Sequence, residues 1–441
     1  MDRVLFRGAR VVDPAGGVDT VADVLVSGGV VEDVGFGGAG LGASGAEVVD
    51  VAGAVLAPGL VDLHVHLREP GREDEETIAS GSAAAALGGF TAVQAMPNTD
   101  PVCDNAAVAE KVWGQGRAVG LVEVVPAGAI TRGLEGKVLS PAGELAHSAA
   151  RVRMITDDGK GVQDSRLLRR AMEYAKGFDV IVGEHCEDDA LAAGGHMHEG
   201  EVSSMLGLKG IPAEAEEIPL ARDIALARLT GARLHLLHVS TAGSVELVRR
   251  AKAGGVRVTA EATPHHAALT DGELAAYDTN CKVNPPLRTA GDVDAIRRGL
   301  ADGTIDAVAS DHAPHAVEEK DAEFEVAPPG MIGLETVLAV VLTELVAPGV
   351  LSLSRAVELM SAAPARLVGL EGHGGPIVPG ARANLVVFDP SARWVVDVRR
   401  LASLSRNTPW AGKELRGRVL HTVYEGRWVV RDGRLWSGAP F

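Results

Sequence analysis

Between about residues 60 and 311 the chain alternates short apolar runs with longer amphipathic stretches. The apolar runs lie near 60–66, 90–96, 119–126, 151–157, 179–186, 233–240, 256–262 and 305–311. Their length and their Val, Ile and Ala content suit strands buried on both faces. Helical stretches such as Glu76 to Leu87, Ser165 to Lys176, Ala213 to Leu229 and Ile332 to Leu345 fall between or after them. Strand and helix in alternation demand a parallel sheet, and eight such strands predict a (β/α)8 TIM barrel. The two chain ends read differently. Val4-Leu5-Phe6, Ala9-Arg10-Val11-Val12 and Ala22 to Val26 are short β runs broken by Gly-rich turns, including Gly35 to Gly45. Asn384 to Phe388, Val419 to Tyr424 and Trp428-Val429-Val430 repeat that pattern near the other end. A small composite β-sandwich domain is therefore expected from both ends, with 1–55 and 366–441 as its parts and the barrel over 56–365.

Composition narrows the class. By length alone 441 residues could hold about three domains, but a barrel of about 250 residues counts as one. Hydrophobic content of 46% with 23% charged residues supports a large core in a globular protein. A net charge of −17 argues against nucleic acid and against an anionic membrane surface. An anionic substrate stays open, because a local Arg in a closed site outweighs surface charge screened over about 8 Å. Cys103, Cys186 and Cys281 are too few for a disulfide framework and are expected as small buried residues. Met1 to Gly8 shows no charged segment leading into an apolar one, and no uncharged apolar stretch approaches the roughly 20 residues that span a bilayer. The expected location is cytoplasmic.

The candidate chemistry sits at the ends of the apolar runs. In Val61-Asp62-Leu63-His64-Val65-His66, the two histidines share one face of a strand and can grip one cation together. Asp158, His185, His238 and Asp311 each follow a later run. Four histidines and two carboxylates fit one or two borderline cations such as zinc, with a carboxylate bridging and an open position for water. In a barrel, the strand C-termini carrying them converge on one face.

These motifs carry a family resemblance. Asp62 to Gly71 (DLHVHLREPG), Met96-Pro97-Asn98-Thr99, Thr156-Asp157-Asp158-Gly159, Glu184 to Asp188, His238-Val239-Ser240, Asn284-Pro285-Pro286-Leu287-Arg288 and Ser310 to His315 span nearly the whole chain. The chain resembles metal-dependent amidohydrolases and, among them, the type I bacterial dihydroorotases. His-x-His and the last Asp mark the superfamily broadly, whereas HLREPG with MPNT and NPPLR resembles the dihydroorotase branch.

The resemblance implies reversible, zinc-dependent hydrolysis and cyclisation between dihydroorotate and N-carbamoyl-L-aspartate in pyrimidine biosynthesis. It implies that His64 and His66 bind one metal, that His185 and His238 bind a second, and that Asp158 bridges them. Asp311 would ligate the first metal and shuttle the proton. Lys160, two residues past Asp158, is the alternative bridge as a carboxylated lysine. Arg68, Asn98 and His315 would hold the substrate carboxylate, with His66 close by. Asn284 and the backbone of Pro329 and Gly330 would meet the ring amides, Pro329 only through its carbonyl. His265, His266 and His312 are expected to pack or to orient the ligands, and His196 and His198 to lie on a surface or gating segment. Implied partners are the small-molecule substrate, further copies of the chain and an aspartate transcarbamoylase. Two other readings stay open. A hydantoinase or allantoinase shares the barrel and histidines but leaves Arg68 and Asn98 unexplained, and a non-catalytic transcarbamoylase scaffold would be expected to have lost ligands retained here.

Overall fold

The computed structural model describes residues 3–37 and 40–437; Met1 and Asp2 of the N-terminal segment, and Gly38 and Ala39 in the glycine-rich stretch, lie outside them. The chain begins with β1 (Arg3–Asp13), β2 (Val18–Ser27), β3 (Val30–Phe36), β4 (Glu47–Asp50) and β5 (Val55–Pro58). In β1 the alternation that buries Val4 and Phe6 in the sheet's own core would put Ala9 and Val11 on that face only after a phase shift. A bulge between Phe6 and Ala9, with Gly8 at φ 73°, supplies the shift.

The barrel follows. Its strands are β6 (Leu60–Val65), β7 (Phe90–Ala95), β8 (Glu123–Pro126), β9 (Met154–Thr156) and β10 (Ile181–Glu184). After a two-residue pair, β11 (Met197–His198) with β12 (Gly210–Ile211), come β13 (Leu234–Leu236), β14 (Val258–Ala262) and β15 (Ala307–Val308). The eight expected strands are therefore present, in parallel arcs of three and five. Bridges from Gly128 to Ile155 and from Val65 to His312 close the ring. Asp62 reinforces that second seam, its carboxylate accepting from the Ser310 N–H at 3.1 Å. Val61, Leu63, Met154, Ile181 and Leu237 belong to one buried cluster. The three cysteines are buried and free.

β16 (Leu385–Val395), β17 (Glu414–Tyr424), β18 (Arg427–Arg431) and β19 (Arg434–Leu435) then return to the N-terminal strands. β16 pairs antiparallel with β5, Val386 opposite Ala57, so the two chain ends meet along one seam. The expected sandwich is built as one continuous sheet, β19-β18-β17-β16-β5-β1-β2-β3, with β4 on β1. The sheet curls on itself: three strands separate β1 from β18, yet the Phe6 and Trp428 rings lie 5.4 Å apart. Both faces of the seam are buried. Leu385 and Val387 enter the sheet's core, while Val386 and Phe388 join the main core that includes the barrel.

Helices Ser165–Lys176 and Glu214–Thr230 match expectation, and Ile78–Leu87 starts after an N-cap in which Thr77 accepts from the Ser80 N–H. The stretch expected as a helix from Ile332 becomes α-helical only at Val337. Ile332 instead donates its N–H to the Asn407 carbonyl, and Met331 bridges to His312. Nearby, Glu335 accepts from the Ala402 N–H at 2.8 Å. Burial, aided by the neighbouring Glu76 charge, raises the Glu335 carboxyl from 4.5 to about 7. Because the folded state holds this proton more tightly than the unfolded chain, the favourable contribution is complete below pH 4.5 and is lost as the pH rises to about 7. Glu335→Gln should therefore raise the thermal midpoint more at pH 8 than at pH 5, measured by calorimetry; an equal shift at both would place this carboxyl in the ordinary range.

Candidate active site

The strand ends bring the predicted cluster together. His64 is the penultimate residue of β6 with His66 just beyond the strand, and Asp158, His185, His238 and Asp311 lie just past β9, β10, β13 and β15; all six are buried. The Asp158 carboxylate is central. Its Oδ2 lies 3.4 Å from His64 Nε2 and 3.5 Å from His66 Nε2, and its Oδ1 lies 3.4 Å from His238 Nε2 and 3.8 Å from His185 Nδ1. Each oxygen thus faces one histidine pair. Asp311 Oδ1 lies 3.2 Å from His66 Nε2 and 3.5 Å from His64 Nε2. Lys160 is exposed, on the turn beyond Asp158.

The donor set suits a cation. His64 with His66 and Asp311, and His64 with Asp158 and His238, each present ligand atoms within 4.8 Å of one another. Among the described residues His64 Nε2, His185 Nε2, His238 Nδ1 and Asp158 Oδ1 are buried without a hydrogen-bond partner. A buried polar atom left so costs about 1–3 kcal/mol, a cost that a divalent cation removes. Burial alone would raise the Asp158 and Asp311 carboxyls, but the facing imidazoles outweigh it and hold both below the usual carboxylate range. His238, Asp311 and Arg68 adopt φ of 29°, 46° and 59°, a left-handed backbone that costs a non-glycine residue about 1–3 kcal/mol and gathers at functional sites.

A cavity of about 190 Å³ opens over the cluster, lined by the expected substrate contacts Arg68, Asn98, Asn284, His315, Pro329 and Gly330 and by every expected metal ligand except His64; Lys160 does not reach it. Arg68 donates Nε–H to the Pro314 carbonyl at 3.1 Å, and the same Nε lies 2.9 Å from the Glu75 carboxylate in an ion pair. Asn98 Oδ1 lies 2.9 Å from His66 Nδ1, so its carbonyl serves the histidine and its amide N–H groups remain for a ligand. His315 lies between acceptors, with Nδ1 3.1 Å from Glu75 and Nε2 2.9 Å from the Pro329 carbonyl. The Pro329 oxygen expected to meet substrate is thus engaged by His315. Asn284 Oδ1 is buried without a partner. Gly330, at φ 145°, lies so close to His315 that a Cβ would come within 2.8 Å of its Nε2.

The other histidines separate. His312 Nε2 lies 3.2 Å from Glu76, and His266 lies between Thr263 and the Pro285 carbonyl at 2.8 and 2.9 Å. His265 lies beside His266, with ring centroids 4.6 Å apart and the planes tilted by 51°. His198 departs from the expected surface segment: it is buried in β11, with Nδ1 3.3 Å from Arg288, because pairing with β12 draws it inward. His196 remains part-exposed, 4.0 Å from Glu325.

The sequence reading missed the carboxylates behind the cluster. Glu261 Oε1 lies 2.7 Å from His64 Nδ1 and its Oε2 lies 3.1 Å from His235 Nε2. Burial would raise this carboxyl, yet the two imidazoles hold it at about 2. Glu216 accepts from the Ser240 N–H at 3.0 Å and lies 3.7 Å from Arg288, which supports the turn after His238. A charge inside the apolar run Val258 to Ala262 was the available signal for Glu261. Glu261 orients His64, so Glu261→Gln should weaken divalent-metal affinity about 10–100-fold. Chelator competition measures it, and unchanged affinity would remove the orienting role.

Comparison with known proteins agrees with this geometry. Residues 53–244 match the dihydro-orotase-like family model and residues 236–430 that of the amidohydrolase family. The chain is 52% identical over 430 residues to a dihydroorotase from Pelotomaculum thermopropionicum, covering 98% of this chain and 99% of that one. It is 52% identical over 435 residues to one from Streptomyces coelicolor, covering 99% and 100%. Among solved structures, the L-hydantoinase (dihydropyrimidinase) of Arthrobacter aurescens superposes with a TM-score of 0.86 at 27% identity, covering 99% of this chain and 98% of that one. Matched over nearly its full length at this identity, the chain belongs to the dihydroorotase family.

Proposed function

We propose that this chain interconverts dihydroorotate and N-carbamoyl-L-aspartate in pyrimidine biosynthesis, using zinc held by His64, His66, Asp158, His185, His238 and Asp311. The observation that carries the reading is Asp158, one carboxylate oxygen toward each histidine pair, beneath a cavity that Arg68 also lines. A bound divalent cation supplies Lewis-acid polarisation of a carbonyl and lowers the pKa of nearby water. Arg68, the Asn98 amide and His315 hold the substrate carboxylate, and Asn284 and the Gly330 backbone meet the ring amide groups. Asp311 takes a proton from the attacking water. As the C–N bond of the ring amide breaks, it returns that proton to the leaving nitrogen. In reverse, closure consumes a carboxylate and a proton, so lower pH favours the ring.

The catalytic unit in this reading is the barrel over 56–365, with 1–55 and 366–441 as the parts of the second domain; β5 (Val55–Pro58) crosses the first boundary and pairs into the sheet. Among the described residues no helix is long and apolar enough to cross a membrane. A cytoplasmic location, self-association and a transcarbamoylase complex belong to the same proposal.

Turnover of dihydroorotate, hydantoin and allantoin by the purified protein, with metal content measured on the same sample, tests it. Selective dihydroorotate turnover with about one to two zinc per chain is expected; preference for hydantoin would overturn the substrate. Asp311→Asn should lower kcat by about 100-fold or more, and near-normal turnover would remove the shuttle. Arg68→Lys, which loses the bidentate fork, should raise KM, and an unchanged KM would count against the carboxylate clamp.

A further inference from the structure

The loop between β6 and the helix Ile78–Leu87 carries a buried carboxylate that no step above uses. Glu75 is 1% exposed. Two backbone hydrogen bonds fold the loop back on itself, Arg72 N–H to the Arg68 carbonyl at 2.9 Å and Glu75 N–H to the Arg72 carbonyl at 3.0 Å. The turns carry Glu75 back to Arg68. Its Oε2 lies 2.9 Å from Arg68 Nε in an ion pair, and its Oε1 accepts from Arg72 Nη2 at 2.8 Å and lies 3.1 Å from His315 Nδ1.

We infer that Glu75 is the positioning residue of the substrate-carboxylate subsite, a single buried acceptor that fixes Arg68 and His315 together. The inference rests on the dihydroorotate reading proposed above. Arg68 meets Glu75 through Nε, and its two Nη groups take no protein partner among the described residues. They therefore stay available for an incoming carboxylate, which a guanidinium can bind through two parallel N–H bonds. His315 is held from both sides, by Glu75 and the Pro329 carbonyl, so its ring plane is set before substrate arrives. The left-handed backbone of Arg68, at φ 59°, needs such an anchor. Glu75 with His315 and Glu319 also forms a group that could hold a metal, but Arg68 and Arg72 already engage the Glu75 oxygens.

One Glu75 oxygen accepts from Arg72 and the other lies against the Arg68 guanidinium, which makes the negative charge decisive. A glutamine offers one acceptor and one NH2, so either orientation sets an NH2 against a guanidinium. Glu75→Gln should raise KM for dihydroorotate about tenfold or more while kcat stays within about threefold, the pattern of lost uniform binding. Because Glu75 acts through Arg68 as well as His315, Glu75→Gln combined with Arg68→Lys should raise KM by less than the product of the two single effects, whereas independent effects would multiply. Metal content and thermal midpoint are followed on the same samples. A Glu75→Gln KM within twofold of wild type, or multiplicative effects, overturns the inference. Should that variant not fold, Glu75→Asp carries the test: a several-fold rise in KM with kcat kept is expected, and an unmoved KM overturns it. Wild-type protein without dihydroorotate turnover overturns the activity reading and this inference with it, whereas an unmoved KM in an active enzyme overturns the inference alone.

Discussion

Burying a carboxylate among imidazoles is the constraint around which this barrel's mouth is arranged. Asp158 is withdrawn from water and faces four histidines, so neither it nor they can be stable without balancing charge. The arrangement recurs one layer back, where Glu261 lies against His64 and His235. Alternating acid and imidazole layers fix each ring in one orientation. The left-handed backbone at His238 and Asp311 lies within that network, where His238 faces Asp158 and Asp311 faces His66.

The fold was legible because buried parallel strands leave a strong trace. Eight apolar runs with helices between them admit few other architectures, and each ligand's place at a run's end followed from the βα topology. The chain ends were legible as β-rich, but their joining into one curled sheet was not. That depends on the seam between β5 and β16, whose partners are far apart in sequence. The helix expected from Ile332 failed at its start because a tertiary hydrogen bond to Asn407 captured the backbone there.

Within the site, the residues at strand ends were readable and those behind them were not. His64 and His66 announce themselves by spacing and Glu261 only by its place inside an apolar run, whereas Glu75 and Glu216 look like ordinary surface acids until the fold buries them. His198 shows the converse. Its Gly-rich surroundings suggested a surface loop, and only the pairing of β11 with β12 beside Arg288 explains its burial.

The seam joining the two chain ends also bears on how the protein is made. β5 receives its β16 partner only after the whole barrel sequence has been synthesised. Until then the N-terminal strands carry an open apolar edge, the kind of surface that invites pairing with another chain. Pairings so remote in sequence also form slowly, since loop closure must precede any gain from contact. β16 therefore acts as the clasp of the molecule, and a truncation before Leu385 would leave the β5 edge uncovered as well as shortening the chain.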